Sequence, residues 1–296
     1  MTTFLKFKII NIGSIPITKI LLKKFLWRAP SHSPTGLEDP MVLCLDVGNT
    51  QIHGGVFKDN ELVLQFRKNS TANSSSDEYG LFLRSVLREN DVQPDSLQKV
   101  AICTVVPSAL HSLKSACIKY LELTPFVLQA GVKTGLKIKY RNPIEVGSDR
   151  IANAIAASNL YPERNLLIVD FGTAITLCAI NDRSEYLGGV ILPGMRLSMR
   201  SLETNTAKLP SVEIVVPQQT MGRSTVESIQ SGLYYGAMGA VKEISERLIQ
   251  ESFEGKKPYI IGTGGFAALF RRESLFDEEI SDLVLQGLHQ SIQMNL

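Results

Sequence analysis

The sequence predicts an α/β protein made of two related units, and three features carry that expectation. The turns Asp46-Val47-Gly48-Asn49-Thr50 and Asp170-Phe171-Gly172-Thr173-Ala174 each follow an apolar run, residues 42–45 and 166–169, and each leads into another β-prone run. Both units therefore open as a strand meander, which argues against the strict strand-then-helix alternation of a dinucleotide-binding unit. Stretches of helical period then alternate with short apolar runs.

In the first unit, residues 42–45, 52–57 and 62–66 read as strands, with Asp59-Asn60 turning the chain between the second and third. Residues 69–76 are rich in Ser and Asn and read as a loop. Asp77-Glu78-Tyr79 opens an amphipathic helix carrying Leu81, Phe82, Val86 and Leu87. Residues 100–106 read as a buried strand ended by Pro107. Ser108 can cap a helix running to about Leu121, and residues 126–128 make a short strand. The second unit repeats the theme. Residues 166–169, 175–180 and 186–192 are strands, 224–250 a long helix, and 259–261 a strand that ends in Gly262-Thr263-Gly264-Gly265 before a further helix.

The chain has 296 residues, 44% hydrophobic and 20% charged, enough apolar material for a sizeable core. A formal net charge of +2 points to no nucleic-acid or membrane partner. Six of the basic residues but only Glu38 and Asp39 of the acidic ones fall in residues 1–40, so the remainder is slightly acidic. The apolar stretch between Phe4 and Trp27 is broken by lysines and by Pro16, too often for a membrane-spanning helix or a secretory signal. Met41 directly precedes the first strand and is the expected start, with a basic membrane-surface segment as the alternative reading of residues 1–40. Cys44, Cys103, Cys117 and Cys178 form no C-x-x-C pair and read as buried free thiols of a reducing compartment. The four histidines show no metal-ligand spacing.

An Asp-x-Gly turn between strands suits a phosphate. The Asp can hold a cation, the Gly lets backbone approach an anion, and Asn or Thr adds donors. A single copy is ordinary turn chemistry. Two copies in matching contexts point to a phosphate clamp. No G-x-x-x-x-G-K-[ST] run exists, so nucleotide binding has to use this clamp. Gly262-Thr263-Gly264-Gly265 is either a tight turn or a nucleotide-facing one. Gly147-Ser148-Asp149-Arg150 precedes a clear helix start. Ser148 or Asp149 either caps that helix, or the Asp acts as a general base beside an orienting Arg. Gly188-Gly189 and Pro193-Gly194 allow close backbone approach, and Ser224 reads as an N-cap.

These motifs, with Asp77-Glu78-Tyr79-Gly80, Val105-Val106-Pro107, Gly131 to Leu136, Tyr140 with Asn142-Pro143, and Gly232 with Tyr234-Tyr235-Gly236, occur in an order that resembles the type III pantothenate kinases. That family belongs to the acetate and sugar kinase/Hsp70/actin superfamily, and the resemblance covers nearly everything from Met41 onward. It implies an α/β fold of two ribonuclease H-like (actin-like ATPase) domains, residues 41–157 and 158–296, each a mixed sheet flanked by helices. Residues 1–40 are then an extension, disordered or a start-site artefact. The implied activity is ATP-dependent phosphorylation of pantothenate, the first step toward coenzyme A. By resemblance, Asp46, Val47, Gly48, Asn49, Thr50, Gln51, Ile52, His53 and Thr173 bind ATP, and Asp149 is the catalytic base. Tyr140, Gly147, Ser148, Asp149, Arg150 and Thr225 contact pantothenate. Asp170 holds a monovalent cation, K+ or NH4+, and Asp46 anchors Mg2+. A cytoplasmic homodimer is implied, with 224–250 as the candidate interface. His53 stands where the family usually has an apolar residue. Another small-metabolite kinase, or a non-catalytic regulator on the same fold, is the alternative. Gly147 to Arg150 with Tyr140 favours pantothenate.

Overall fold

Two sheets of matching topology hold the chain together. The computed structural model describes residues 40–71 and 74–296, and the expectations placed on residues 1–39 lie outside them. In the first sheet β1 (Met41–Val47), β2 (Gln51–Lys58) and β3 (Glu61–Asn69) form an antiparallel meander, and β4 (Leu97–Thr104) and β5 (Phe126–Val127) add in parallel beyond β1. The second sheet includes β6 (Lys137–Ile138), β7 (Leu166–Phe171), β8 (Ala174–Ile180), β9 (Glu185–Pro193), β10 (Tyr259–Thr263) and β11 (Glu278–Glu279). Its β7–β8–β9 meander is extended in parallel by β10 and β11 beyond β7 and by β6 beyond β9. The order meander-then-parallel is the same in both, as the paired turns led us to expect.

The helices are α1 (Ser76–Arg88), α2 (Pro107–Leu121), α3 (Ser148–Leu160), α4 (Met195–Asn205), α5 (Thr225–Phe253) and α6 (Leu283–Met294). α1 starts on a capping box: Ser75 Oγ accepts from Glu78 N at 3.2 Å, and Glu78 accepts from Ser75 N at 2.7 Å. α2 begins two residues earlier than it would with Ser108 as its cap. Val106 is its N-cap and Pro107 its first residue, where proline's missing N–H costs nothing. Neither Ser148 nor Asp149 caps α3, whose N-cap is Gly147. The segment after Gly262–Gly265 is only a short 3-10 turn, Ala267–Phe270. Among the described residues no helix is long and apolar enough to cross a membrane.

Alternation along the strands sorts the core. Leu43, Leu45 and Val47 of β1 join Ile52, Val56 and Phe66 against α1 and α2. Val42 and Cys44 point the other way and join Ala101 and Cys103 of β4 against α3 and α6. That same cluster takes in Leu166 and Ile168 of β7 and Cys178 and Ile180 of β8, so α3 and α6 share one core with both sheets. Leu167, Val169 and Phe171 face α5 instead. All four cysteines are buried and unpaired.

Two buried histidines bind a proton less readily in the fold than in the unfolded chain. His53 is 4% exposed and His289 3%, the latter stacked on Phe57 at 4.4 Å. Burial holds His53 down to about 3 and His289 to about 4. At these two sites the unfolded chain takes up protons near pH 6.5 and the native chain does not, so their contribution to stability is full above that pH and is lost as pH drops toward 4. The slope is about 1.4 kcal/mol per pH unit for each histidine. Other buried groups titrate in the same range, so the test is a difference: in urea melts at pH 7.0, 6.0 and 5.0, the midpoint of His289→Gln should rise relative to the parent's as pH falls.

Candidate active site

The two Asp-x-Gly loops face one another. Thr50 Oγ1 and Thr173 Oγ1, 123 residues apart in sequence, lie 3.0 Å from each other. Each loop is pinned from behind. In the first, Gly48 N donates to Gln51 O at 3.0 Å, while Ser70, just beyond β3, donates from Oγ to Gly48 O at 2.7 Å and from N to Thr50 O at 2.9 Å. In the second, Gly172 N donates to Ala174 O and Gly194 N to Thr173 O, both at 3.1 Å. A Cβ on Gly194 would sit 2.2 Å from Thr173 O, so only glycine lets α4 begin this close.

Asp46 and Asp170 end equivalent strands, and Asp149 sits in the first turn of α3. Asp46 accepts from the Cys103 thiol at 3.2 Å, and Asp170 from Asn153 Nδ2 at 3.0 Å. Asp149 Oδ1 accepts from Arg150 N at 2.8 Å. Gly264, at φ +89°, brings backbone against Asp170, where a Cβ would stand 2.3 Å from Oδ1. Burial, and then the charge of Asp149, push Asp46 up to about 7 and Asp170 up to about 6. Burial also raises Asp149. Three buried carboxylates, with Asp149 raising the other two, form a site short of positive charge. Among the described residues no three acidic, His or Cys side chains close on a single metal position.

Next to Asp149 in the chain is Arg150, which is only 6% exposed. Its Cζ lies 6.0 Å from the Tyr140 ring centre and 5.8 Å from that of Tyr186, and its Nε donates to Cys178 Sγ at 3.3 Å. Gly189 makes room for it, since a Cβ there would meet Arg150 Nη2 at 3.1 Å and Leu177 O at 2.0 Å. Arg150 Nη2 and Asn153 Oδ1 are buried without a partner among the described residues, which marks a place for a polar ligand.

The expected residues thus divide. Asp46, Gly48, Thr50, Thr173, Asp170 and Asp149 frame one cleft, with Val47 buried beneath and Asn49 exposed. Gln51 bonds Asn69 at 3.3 Å, Ile52 lies in the core, and buried His53 meets Gln65 at 2.6 Å. Ser148 turns away and bonds the backbone N and O of Thr104, both at 3.1 Å, which anchors the Gly147–Arg150 turn on β4. Tyr140 joins Arg150. Thr225 lines a separate groove of about 1120 Å³ with Pro193, Leu197 and Ser198. Sequence reasoning missed Asn153, although it stands one helical turn after Asp149 on α3, a spacing that places both on one face. It also missed Cys103, whose position opposite Asp46 depends on strand register alone.

The architecture and paired loops define an actin-like ATPase and sugar-kinase fold. A solved structure from Sinorhizobium meliloti described as a 2-dehydro-3-deoxygalactonokinase shares that fold, with a TM-score of 0.53, 11% identity, and coverage of 85% of this chain and 96% of that one. Another, from Campylobacter jejuni and described as a Baf family transcriptional activator, also has a TM-score of 0.53, at 19% identity over 86% and 98% of the two chains. A family model, type III pantothenate kinase, matches residues 42–247. A type III pantothenate kinase of Legionella pneumophila (strain Corby) is 58% identical over 255 residues, 86% of this chain and 99% of that protein. Type III pantothenate kinase 1 of Francisella tularensis subsp. holarctica (strain OSU18) is 48% identical over 86% and 100%. The chain belongs to the type III pantothenate kinase family.

Proposed function

We propose that this chain transfers the γ-phosphoryl group of ATP to the primary hydroxyl of pantothenate, the first step of coenzyme A biosynthesis. The observation that carries the reading is the meeting of Thr50 and Thr173, which joins two phosphate loops beside Asp149. The nucleotide phosphates lie between those loops and displace the hydroxyl contact. The segment from Asp46 to His53 supplies one wall, with Thr173 the opposing donor. Pantothenate lies against Gly147, Arg150 and Tyr140, with Ser148 anchoring that turn on β4, and the unpartnered Arg150 Nη2 takes one of its oxygens. Thr225 lines a groove apart from these residues and is a pantothenate contact by the family resemblance alone. Asp149 accepts the hydroxyl proton. The freed oxygen bonds the γ-phosphorus, the bond to the β,γ-bridging oxygen breaks, and ADP leaves.

Cations fit the donor set. Asp46 offers a hard oxygen suited to nucleotide-bound Mg2+, and Asp170 with Asn153 Oδ1 offers oxygens suited to K+ or NH4+. Such ions supply the positive charge that the three carboxylates and the phosphates share. A homodimer through α5 completes the reading, since Gly232, Gly236 and Gly239 leave open space along that helix. The unpaired thiols agree with the cytoplasm. A coupled assay with ATP, Mg2+, pantothenate and K+ tests the function, and no ADP release under these conditions would sink it. Asp170→Asn should lose the K+ response while keeping the fold. An unchanged K+ titration would remove Asp170 from the cation site.

A further inference from the structure

A polar row crosses the first sheet on the face that looks toward α3 and α6. Cys103 on β4 is opposite Asp46 on β1, Asp46 is opposite His53 on β2, and His53 is opposite Arg67 on β3. Directly opposed residues point to the same face, so thiol, carboxylate, imidazole and guanidinium form one line. Arg67 ends it. Its Cα is two strand spacings, about 10 Å, from that of Asp46, a gap that an extended arginine leaning over His53 largely closes. The next residue, Lys68, points the opposite way, with its Nζ 5.8 Å from the Tyr79 ring centre and 5.7 Å from that of Phe82. Arg67 is also three residues before Ser70, which braces the first phosphate loop at Gly48 and Thr50.

We propose that Arg67 is a phosphate-binding residue of this site, its guanidinium taking the nucleotide phosphates held between the Asp46 and Asp170 loops. The inference rests on the kinase reading above. Charge supports it independently. Arg67 is the basic side chain whose charge reaches Asp46, Asp170 and His53 together. His53 is buried and neutral, so it cannot take this role. Among the described residues Arg67 forms no ion pair, which leaves its donors available. A triphosphate entering a cleft with three carboxylates needs a fixed cation, and the planar fork of arginine suits two phosphate oxygens at once.

Calorimetric titration of the full chain with ATP, ADP and AMP, run beside the pantothenate assay, tests this. Arg67→Gln should weaken ATP and ADP by about 10- to 100-fold, the range of charged hydrogen bonds, and AMP by less than about threefold. Arg67→Lys should recover part of the loss, while Lys68→Gln should bind all three as the parent does. Parental ATP affinity in Arg67→Gln overturns the proposal. So does an equal loss for AMP and ATP, which would mean that the arginine shapes the loop rather than meeting phosphate. If the parent binds ATP but never phosphorylates pantothenate while Arg67→Gln still loses ATP, the acceptor assignment fails and the role of Arg67 stands.

Discussion

Asp149→Asn is expected to bind ATP as the parent does and to lose turnover by about 10³-fold, the usual worth of a positioned general base. The geometry separates the two properties. Asp149 Oδ1 is already engaged by Arg150 N at 2.8 Å, and a Cβ on Gly147 would lie 2.5 Å from it, so one edge of the carboxylate is fixed against its own turn. The other oxygen is left to receive a proton. Asparagine keeps the volume and the Oδ1 acceptor, so the turn survives, but its amide takes no proton. Burial raises the Asp149 carboxyl above the usual carboxylate range, so the group is protonated at a higher pH than a free aspartate. Parent turnover should therefore fall as pH is lowered through that raised value, and in the residual activity of the variant only the acid limb set by Asp46 and Asp170 should remain. Single-turnover rates between pH 5 and 8, with nucleotide affinity measured in parallel, read both effects. Turnover equal to the parent would refute the assignment.

Local chemistry made the loops legible in the sequence, and long-range register hid their partners. Asp46 and Asp170 announce themselves because a strand end followed by x-Gly is a local pattern. The contact between Thr50 and Thr173 joins residues 123 apart, and only the pairing of two whole units produces it. The meanders were readable for the same local reason, as β-prone runs separated by turn residues. β6 was not, since two residues, Lys137 and Ile138, carry no periodicity and pair only because β9 is there to receive them. α4 was hidden behind Pro193-Gly194, which reads as a turn, although that glycine is the N-cap holding the helix against Thr173. Ser108 was misjudged as a cap because a hydroxyl and a proline compete for adjacent positions. Proline at the first helical residue decides the matter without any side-chain hydrogen bond. α6 was overlooked although its buried residues, Leu285, Leu288 and Ile292 among them, recur at helical spacing.

Gly287→Ala is expected to be the most damaging small substitution for the fold, although alanine is the better helix former by up to about 1 kcal/mol. Gly287 is on α6 where that helix crosses α3, and a Cβ there would stand 1.8 Å from Ala152 O and 2.5 Å from its carbonyl carbon. Backbone cannot yield as a flexible side chain would, so the helices have to separate by more than an ångström. Overpacking of this kind costs about 1–3 kcal/mol, which outweighs the propensity gain. For a chain of this size, 2 kcal/mol corresponds to a melting temperature about 4–8 °C lower. The consequence reaches the chemistry because α3 carries Asp149, Arg150 and Asn153, and its inner face is buried against both sheets. A displaced α3 moves the base and the Asp170 partner together. Turnover should therefore fall at temperatures where the variant is still folded, with the KM for pantothenate raised. Thermal melts and kinetics at 15 °C separate the two effects. A variant as stable and as active as the parent would show that α3 and α6 do not approach through Gly287.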